Sequence, residues 1–234
     1  MKLNDLFIPT GKSLHKIVVG QSGSGKSFFI EAGAKAAIKQ NDDPNYRMIY
    51  FSPKQEGFID LLPKDKKKRP VGLVFDVDSM LKNMEKQTLT VFYPDTEGLE
   101  ETMDETINSL FDMKDVNPDM KCTLIIDDSQ IFLSSRKQSS ESFRRIALLG
   151  RSREINAIFV SHGLVLNKTL EGQIDSLYFF TLPAKVHWKS GEERYGFNPE
   201  PYVEDLKSTP YSFVGFDVRT GSARMFNPIG SDKN

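Results

Sequence analysis

The chain is poor in the features that tie a protein to a membrane, an oxidising compartment or a single polyanion. It has one cysteine, Cys122, in 234 residues, which excludes an intrachain disulfide framework and fits a reducing compartment. No segment approaches the ~20 consecutive apolar residues of a membrane span, and the first residues, MKLNDLFIPTGK, lack the apolar stretch of a signal peptide. Charge is balanced, with Lys+Arg 31 against Asp+Glu 32 and a net charge of −1, so any contact with a polyanion must be local. Three histidines and the lone cysteine make no convincing zinc site, and His15 and His187 stand isolated. Internal repeats and low-complexity tracts are absent as well.

What is present is an ordinary globular composition, 38% hydrophobic and 27% charged, long enough for one α/β domain over residues 1–234. Strands are expected at Ile17–Val19, Tyr46–Ser52, Val71–Phe75, Thr88–Tyr93, Cys122–Ile126, Ala157–Ser161 and Leu177–Leu182. Helices are expected from Phe28 to about Gln40, and over Asp78–Glu85, Leu99–Lys114 and Ser142–Ile155. Tyr211–Phe226 reads as a terminal β-hairpin turning at Thr220-Gly221. Alternation of strands and helices implies a doubly wound, mostly parallel sheet, with ligands at the carboxyl ends of its strands.

The strongest single signal is Gly20-Gln21-Ser22-Gly23-Ser24-Gly25-Lys26-Ser27, a complete G-x-x-x-x-G-K-S phosphate loop between a β-branched strand and a helix beginning at Phe28. Helix-start N–H groups can bind phosphate oxygens there. Gly23 and Gly25 permit the positive φ and close approach the loop needs. Lys26 is expected to reach the β- and γ-phosphates and Ser27 to ligate Mg²⁺, so the chain is expected to bind a nucleoside triphosphate, ATP in the favoured reading.

About 100 residues further on, the apolar strand Thr123–Ile126 ends in Asp127-Asp128. Successive side chains of a strand point opposite ways, so the two carboxylates have different tasks. Asp127 suits the Mg²⁺ shell beside Ser27, and Asp128 suits the attacking water. Gln130 follows two residues later. Arg144, Arg145, Arg151 and Arg153 lie in or just after the next helix; Arg144 and Arg145 read as a solvated helix end, while Arg151 and Arg153 directly precede the Ala157–Ser161 strand.

Gly20–Ser27, Thr123–Asp128 and the run Gly150–His162 together resemble the FtsK–HerA superfamily of DNA-pumping ATPases, over about residues 14–182. Within it the chain looks most like the compact genome-packaging ATPases of tailless icosahedral viruses with an internal membrane and of large nucleocytoplasmic DNA viruses. The resemblance implies a RecA/FtsK-like ATPase that forms a homo-oligomeric ring, a hexamer or pentamer. Such a ring moves double-stranded DNA into a preformed capsid and docks on capsid vertex proteins, in the host cytoplasm or virion. It makes Arg151 a finger acting on a neighbour's nucleotide, with Arg153 beside it, and Ser161-His162 the γ-phosphate sensor. His162 replaces the family's usual glutamine, and Asp128 its commoner glutamate; Gln130 is a second sensor candidate. Two other classes share the loop: assembly factors resembling filamentous-phage morphogenesis proteins, and small-molecule kinases. Lys64–Arg69 and the pair Arg136 and Lys137 are candidate DNA contacts. The aromatic residues of 183–234 (Trp188, Tyr195, Phe197, Tyr202, Tyr211, Phe213, Phe216, Phe226) suit core packing or an interface, with base stacking the alternative.

Overall fold

A computed structural model describes residues 6–9, 15–133, 140–164, 168–181 and 185–230. Arg136 and Lys137 lie outside the described residues, as does the end of the expected strand at Leu182. Among the described residues, nine strands form one sheet: β1 (His15–Val19), β2 (Tyr46–Phe51), β3 (Leu73–Val74), β4 (Leu89–Phe92), β5 (Lys121–Ile126), β6 (Ile155–Ser161), β7 (Ile174–Phe179), β8 (Phe213–Asp217) and β9 (Ser222–Phe226). Their order is β3-β4-β2-β5-β6-β1-β7-β8-β9. All pairs from β3 to β7 are parallel, and β8 and β9 add antiparallel at one edge.

Among the described residues, seven α-helices connect or flank these strands: α1 (Lys26–Gln40), α2 (Val77–Met84), α3 (Leu99–Val116), α4 (Glu141–Leu149), α5 (Lys168–Glu171), α6 (Lys185–Tyr195) and α7 (Val203–Ser208). The period of two along each strand sends alternate side chains to two separate cores. Ile17, Val19, Leu124, Ile126 and Phe159 join residues of α2, α3 and α4 in one. Val18, Ile125, Ile158 and Val160 join α1 and the segment carrying Phe7 in the other. Central strands covered on both faces explain why β1, β5 and β6 read as unbroken apolar runs.

Three expectations need adjustment. The helix expected over Ser142–Ile155 ends at Leu149, and Gly150–Glu154 form a turn. Gly150 closes that turn, accepting from Ile155 N–H at 2.8 Å, and Ile155 opens β6. The strand expected at Val71–Phe75 shrinks to two paired residues, Leu73 and Val74, at the sheet edge. The strand expected at Leu177–Leu182 begins earlier, at Ile174. The terminal hairpin turns at Thr220-Gly221, with Gly221 at φ 67°.

His15, at the start of β1, has a structural task. It is fully buried; its Nδ1 accepts from Ala157 N–H at 2.9 Å, and its Nε2 lies 3.0 Å from the Ile146 carbonyl as donor. Burial holds its pKa down at about 4, so the ring is neutral and pins α4 and β6 to β1.

Candidate active site

At the carboxyl edge of the sheet, β6 lies between β1 and β5. The loop after β1, the acidic pair after β5 and the polar end of β6 therefore fall side by side. Gly20–Gly25 arch from β1 into α1. Gly25 is the residue before the helix and has φ 102°, open to glycine at little cost. Gly20 is required for a different reason: a Cβ there would lie 2.6 Å from Phe180 Cβ and 2.7 Å from Ser24 Oγ. Gln21 N–H donates to Thr181 O at 2.8 Å, tying the loop to the exit of β7.

The loop holds its own cation. Lys26 Nζ donates to the carbonyls of Gly20 at 2.7 Å and Gln21 at 3.0 Å. Burial lowers the Lys26 pKa, while Asp127 and Asp128 oppose that shift. Ser24 Oγ is buried without a hydrogen-bond partner among the described residues, and Ser27 stands exposed on the first turn of α1. Lys26 can exchange its carbonyls for phosphate oxygens, and the first-turn N–H groups face the same space.

The two carboxylates differ, but not by strand alternation: β5 ends at Ile126, and Asp127-Asp128 lie in the turn that follows it. Asp127 Oδ2 accepts from Tyr50 OH at 2.8 Å, and its Oδ1 accepts from Asp128 N–H at 3.0 Å. Burial, with Asp128 next to it, raises the Asp127 pKa. Each oxygen keeps acceptor capacity, and a carboxylate with a serine hydroxyl is a hard oxygen donor set of the kind Mg²⁺ takes. Asp128 has left-handed backbone, φ 47°, a strained conformation for a non-glycine residue that clusters at functional sites. Its Oδ2 is 2.7 Å from Lys54 Nζ. Its Oδ1 accepts from Gln130 Nε2 at 3.0 Å and lies 3.2 Å from His162 Nε2. Burial alone would raise its pKa, but the Lys54 bond, the Gln130 bond and nearby positive charge together lower it. Asp128 is thus held as a carboxylate.

The sensor candidates divide. His162 and Gln130 reach Asp128, and Gln130 Oε1 also accepts from His162 N–H at 3.3 Å. Ser161 Oγ instead donates to Gly163 O at 2.7 Å, while its backbone carbonyl accepts from Gly20 N–H at 3.2 Å. Ser161 shapes the strand end rather than facing the carboxylate.

The arginines lie elsewhere. Arg151 is exposed in the turn before β6, at the amino end of a strand whose carboxyl end touches the phosphate loop. Seven residues of β6 span about 20 Å, so Arg151 cannot reach the loop of its own chain. Among the described residues nothing pairs with its guanidinium. Arg153 is engaged, 2.6 Å from Asp115 Oδ1. Arg145 lies over the Phe111 ring at 4.4 Å, and Arg144 is 3.7 Å from Glu141 Oε2.

Sequence reasoning misses three site residues. Tyr50 lies near the end of β2 and Lys54 in the turn just after it, and they matter because β2 pairs with β5 in register, Tyr50 opposite Ile125 and Phe51 opposite Ile126. Tyr211 comes from the turn before β8 and packs on Gly25. A basic residue just past a strand end was the available signal for Lys54, but strand order is not written locally.

A doubly wound sheet with this loop at its carboxyl edge is the fold of P-loop nucleoside triphosphatases. Among solved structures, the chain is similar to B204, the DNA-packaging ATPase from Sulfolobus turreted icosahedral virus, with TM-score 0.71 and 17% identity over 94% of this chain and 100% of that one. It is also similar to the genome packaging NTPase B204 from Sulfolobus turreted icosahedral virus 2 in complex with AMPPCP, with TM-score 0.67 and 16% identity over 93% and 98% of the two chains. The cytoplasmic domain of the type VII secretion ATPase EccC from Thermomonospora curvata matches with TM-score 0.61 and 15% identity, over 92% of this chain and 25% of that one. No protein-family model and no curated protein matches the sequence. The likeness establishes a shared fold.

Proposed function

We propose that this chain is an ATPase subunit that assembles into a ring and translocates double-stranded DNA into a preformed viral capsid, docked on capsid vertex proteins. One observation carries the reading. Lys26, Asp127, Asp128 and His162 converge at the carboxyl end of the sheet, while Arg151, with no partner among the described residues, stands exposed at the amino end. The set is complete only where one subunit's amino edge meets its neighbour's loop. The whole-length fold match to a viral DNA-packaging ATPase supports the same reading.

In this reading Gly20–Ser27, with Phe28 beside them, bind the triphosphate, and Lys26 leaves its carbonyls for the β- and γ-phosphates. Ser27 and Asp127 hold Mg²⁺, which neutralises phosphate charge when bound. The γ-phosphate competes with Asp128 for Lys54, and a carboxylate released from its lysine is a better base. A water oxygen bonds to the γ-phosphorus as the bond to the β–γ bridging oxygen breaks. Asp128 takes the water's proton, and ADP and phosphate leave. Gln130 and His162 sense the γ-phosphate through Asp128, and Arg151 of the neighbour stabilises the transferring group, with Arg153 as its backup. The subunit works in the host cytoplasm or at the packaging vertex of the virion; among the described residues no helix is long and apolar enough to cross a membrane.

The test is ATP hydrolysis by the purified protein with and without double-stranded DNA. Stimulation by DNA is expected; turnover indifferent to DNA, with phosphorylation of a small acceptor, would make the protein a kinase instead.

A further inference from the structure

The turn Thr209-Pro210-Tyr211-Ser212 joins α7 to β8. Ser212 N–H donates to Thr209 O at 3.2 Å, and Ser212 Oγ donates to the same carbonyl at 2.7 Å. Proline in the second place and positive φ in the third describe a type II turn, whose third position favours glycine or asparagine. Here it is Tyr211, at φ 66°. A bulky side chain in that conformation carries a backbone cost.

The ring is not buried, which removes core packing as its reason: Tyr211 is 59% exposed. It is nevertheless placed with precision. A Cβ built on Gly25 would lie 3.0 Å from Tyr211 Cδ1 and 3.3 Å from its Cβ, so the tyrosine rests against the phosphate loop one residue before Lys26. The turn is braced from below, because Phe213 stacks on Phe180 at 5.2 Å and packs edge-on to Phe29 of α1 at 4.8 Å. A second aromatic, Phe28, also 59% exposed, stands on the first turn of α1. Two open aromatic faces thus flank the loop that would hold the phosphates.

We propose that Tyr211 is the base-binding residue of the nucleotide site, its ring stacking on the purine of a triphosphate bound in Gly20–Ser27. The strained turn at the end of α7 exists to set that ring over Gly25, and this gives the 183–234 segment a part in the site. Stacking uses the π-face that every base has, so the contact discriminates weakly between ATP and GTP. The proposal rests on the triphosphate reading of the loop.

The test separates base from phosphates in the full-length protein, using AMPPCP and inorganic tripolyphosphate as probes. Tyr211→Gly, which suits the turn, is expected to lose about tenfold in AMPPCP affinity while binding tripolyphosphate as the wild type does. Tyr211→Phe is expected to keep both affinities. Tyr211→Trp, read against the background of Trp188, is expected to change its emission with AMPPCP and not with tripolyphosphate. AMPPCP affinity unchanged in Tyr211→Gly, equal losses for both probes, or a silent tryptophan would each overturn base stacking while leaving the triphosphate site intact. A wild-type protein that binds neither probe would overturn the site itself, and the stacking with it.

Discussion

The two ends of β1 hold buried polar groups under opposite regimes. At the amino end His15 has both ring nitrogens bonded, one to Ala157 N–H and one to Ile146 O, and burial keeps it neutral. At the carboxyl end Lys26 is bonded only to carbonyls of its own loop, Ser24 Oγ is unpartnered among the described residues, and Asp128 sits in left-handed backbone. The first arrangement is closed and stabilises the fold; the second keeps its valences and its strain available for a ligand. Burial of a charged or titratable group is therefore a poor guide to function by itself. The completeness of its bonds, read together with backbone strain, separates scaffold from site.

Substitutions at the two ends should differ in kind. Lys26→Ala removes the cation aimed at the β- and γ-phosphates and should abolish hydrolysis and strongly weaken ATP binding, with little change in Tm; normal turnover would mean that Gly20–Ser27 is not the active loop. Asp128→Asn should keep ATP binding but lose turnover by about 100-fold or more, the usual range for a general base. Asp127→Asn should mainly raise the Mg²⁺ concentration needed. Titrating both variants with Mg²⁺ in a turnover assay would reassign the base if Asp127→Asn proved the slower at saturating metal.

At the amino end the expected effect is on stability. His15→Ala leaves Ala157 N–H unpaired in a buried cavity, while Ile146 O keeps its bond from Gly150 N–H, and should cost about 2–4 kcal/mol, measurable by urea unfolding. The unfolded histidine takes a proton near its ordinary 6.5, whereas the folded one resists until about 4. The unfolded state therefore binds more protons between those values. Stability from His15 is complete above pH 6.5 and is lost as pH falls toward 4, by about 3 kcal/mol in all. His15→Ala should flatten that part of the pH profile, and an unchanged slope would assign it to other groups. Smallest of all, Arg153→Ala breaks a half-exposed pair with Asp115 and should cost under about 1 kcal/mol.

The phosphate loop, the acidic strand end and the β6 strand were legible in the sequence because each is contiguous and each reports its element by local pattern. The terminal hairpin was legible for the same reason, from Thr220-Gly221. Lys54 and Tyr50 were not, since their place beside Asp128 and Asp127 follows from β2 lying next to β5. Tyr211 was visible only as one aromatic among several. Its role depends on a left-handed residue in a turn 186 positions from Gly25 in the chain. The helix that local pattern carries on to Ile155 stops at Leu149, although Arg151, Arg153 and Glu154 are helix-forming residues, because the turn that ends it is closed by Gly150 accepting from Ile155.

The amino edge is more than scaffold if Arg151 serves the neighbouring subunit, and that is the central claim. Arg151→Ala should bind ATP normally yet turn over on the order of 10³-fold more slowly. Mixing it with Lys26→Ala subunits is the direct measurement. An intact Arg151 from the second variant then meets the intact loop of the first, so mixed assemblies should recover hydrolysis that neither variant has alone. Proven co-assembly without any recovery would contradict the shared site and remove Arg151 from it.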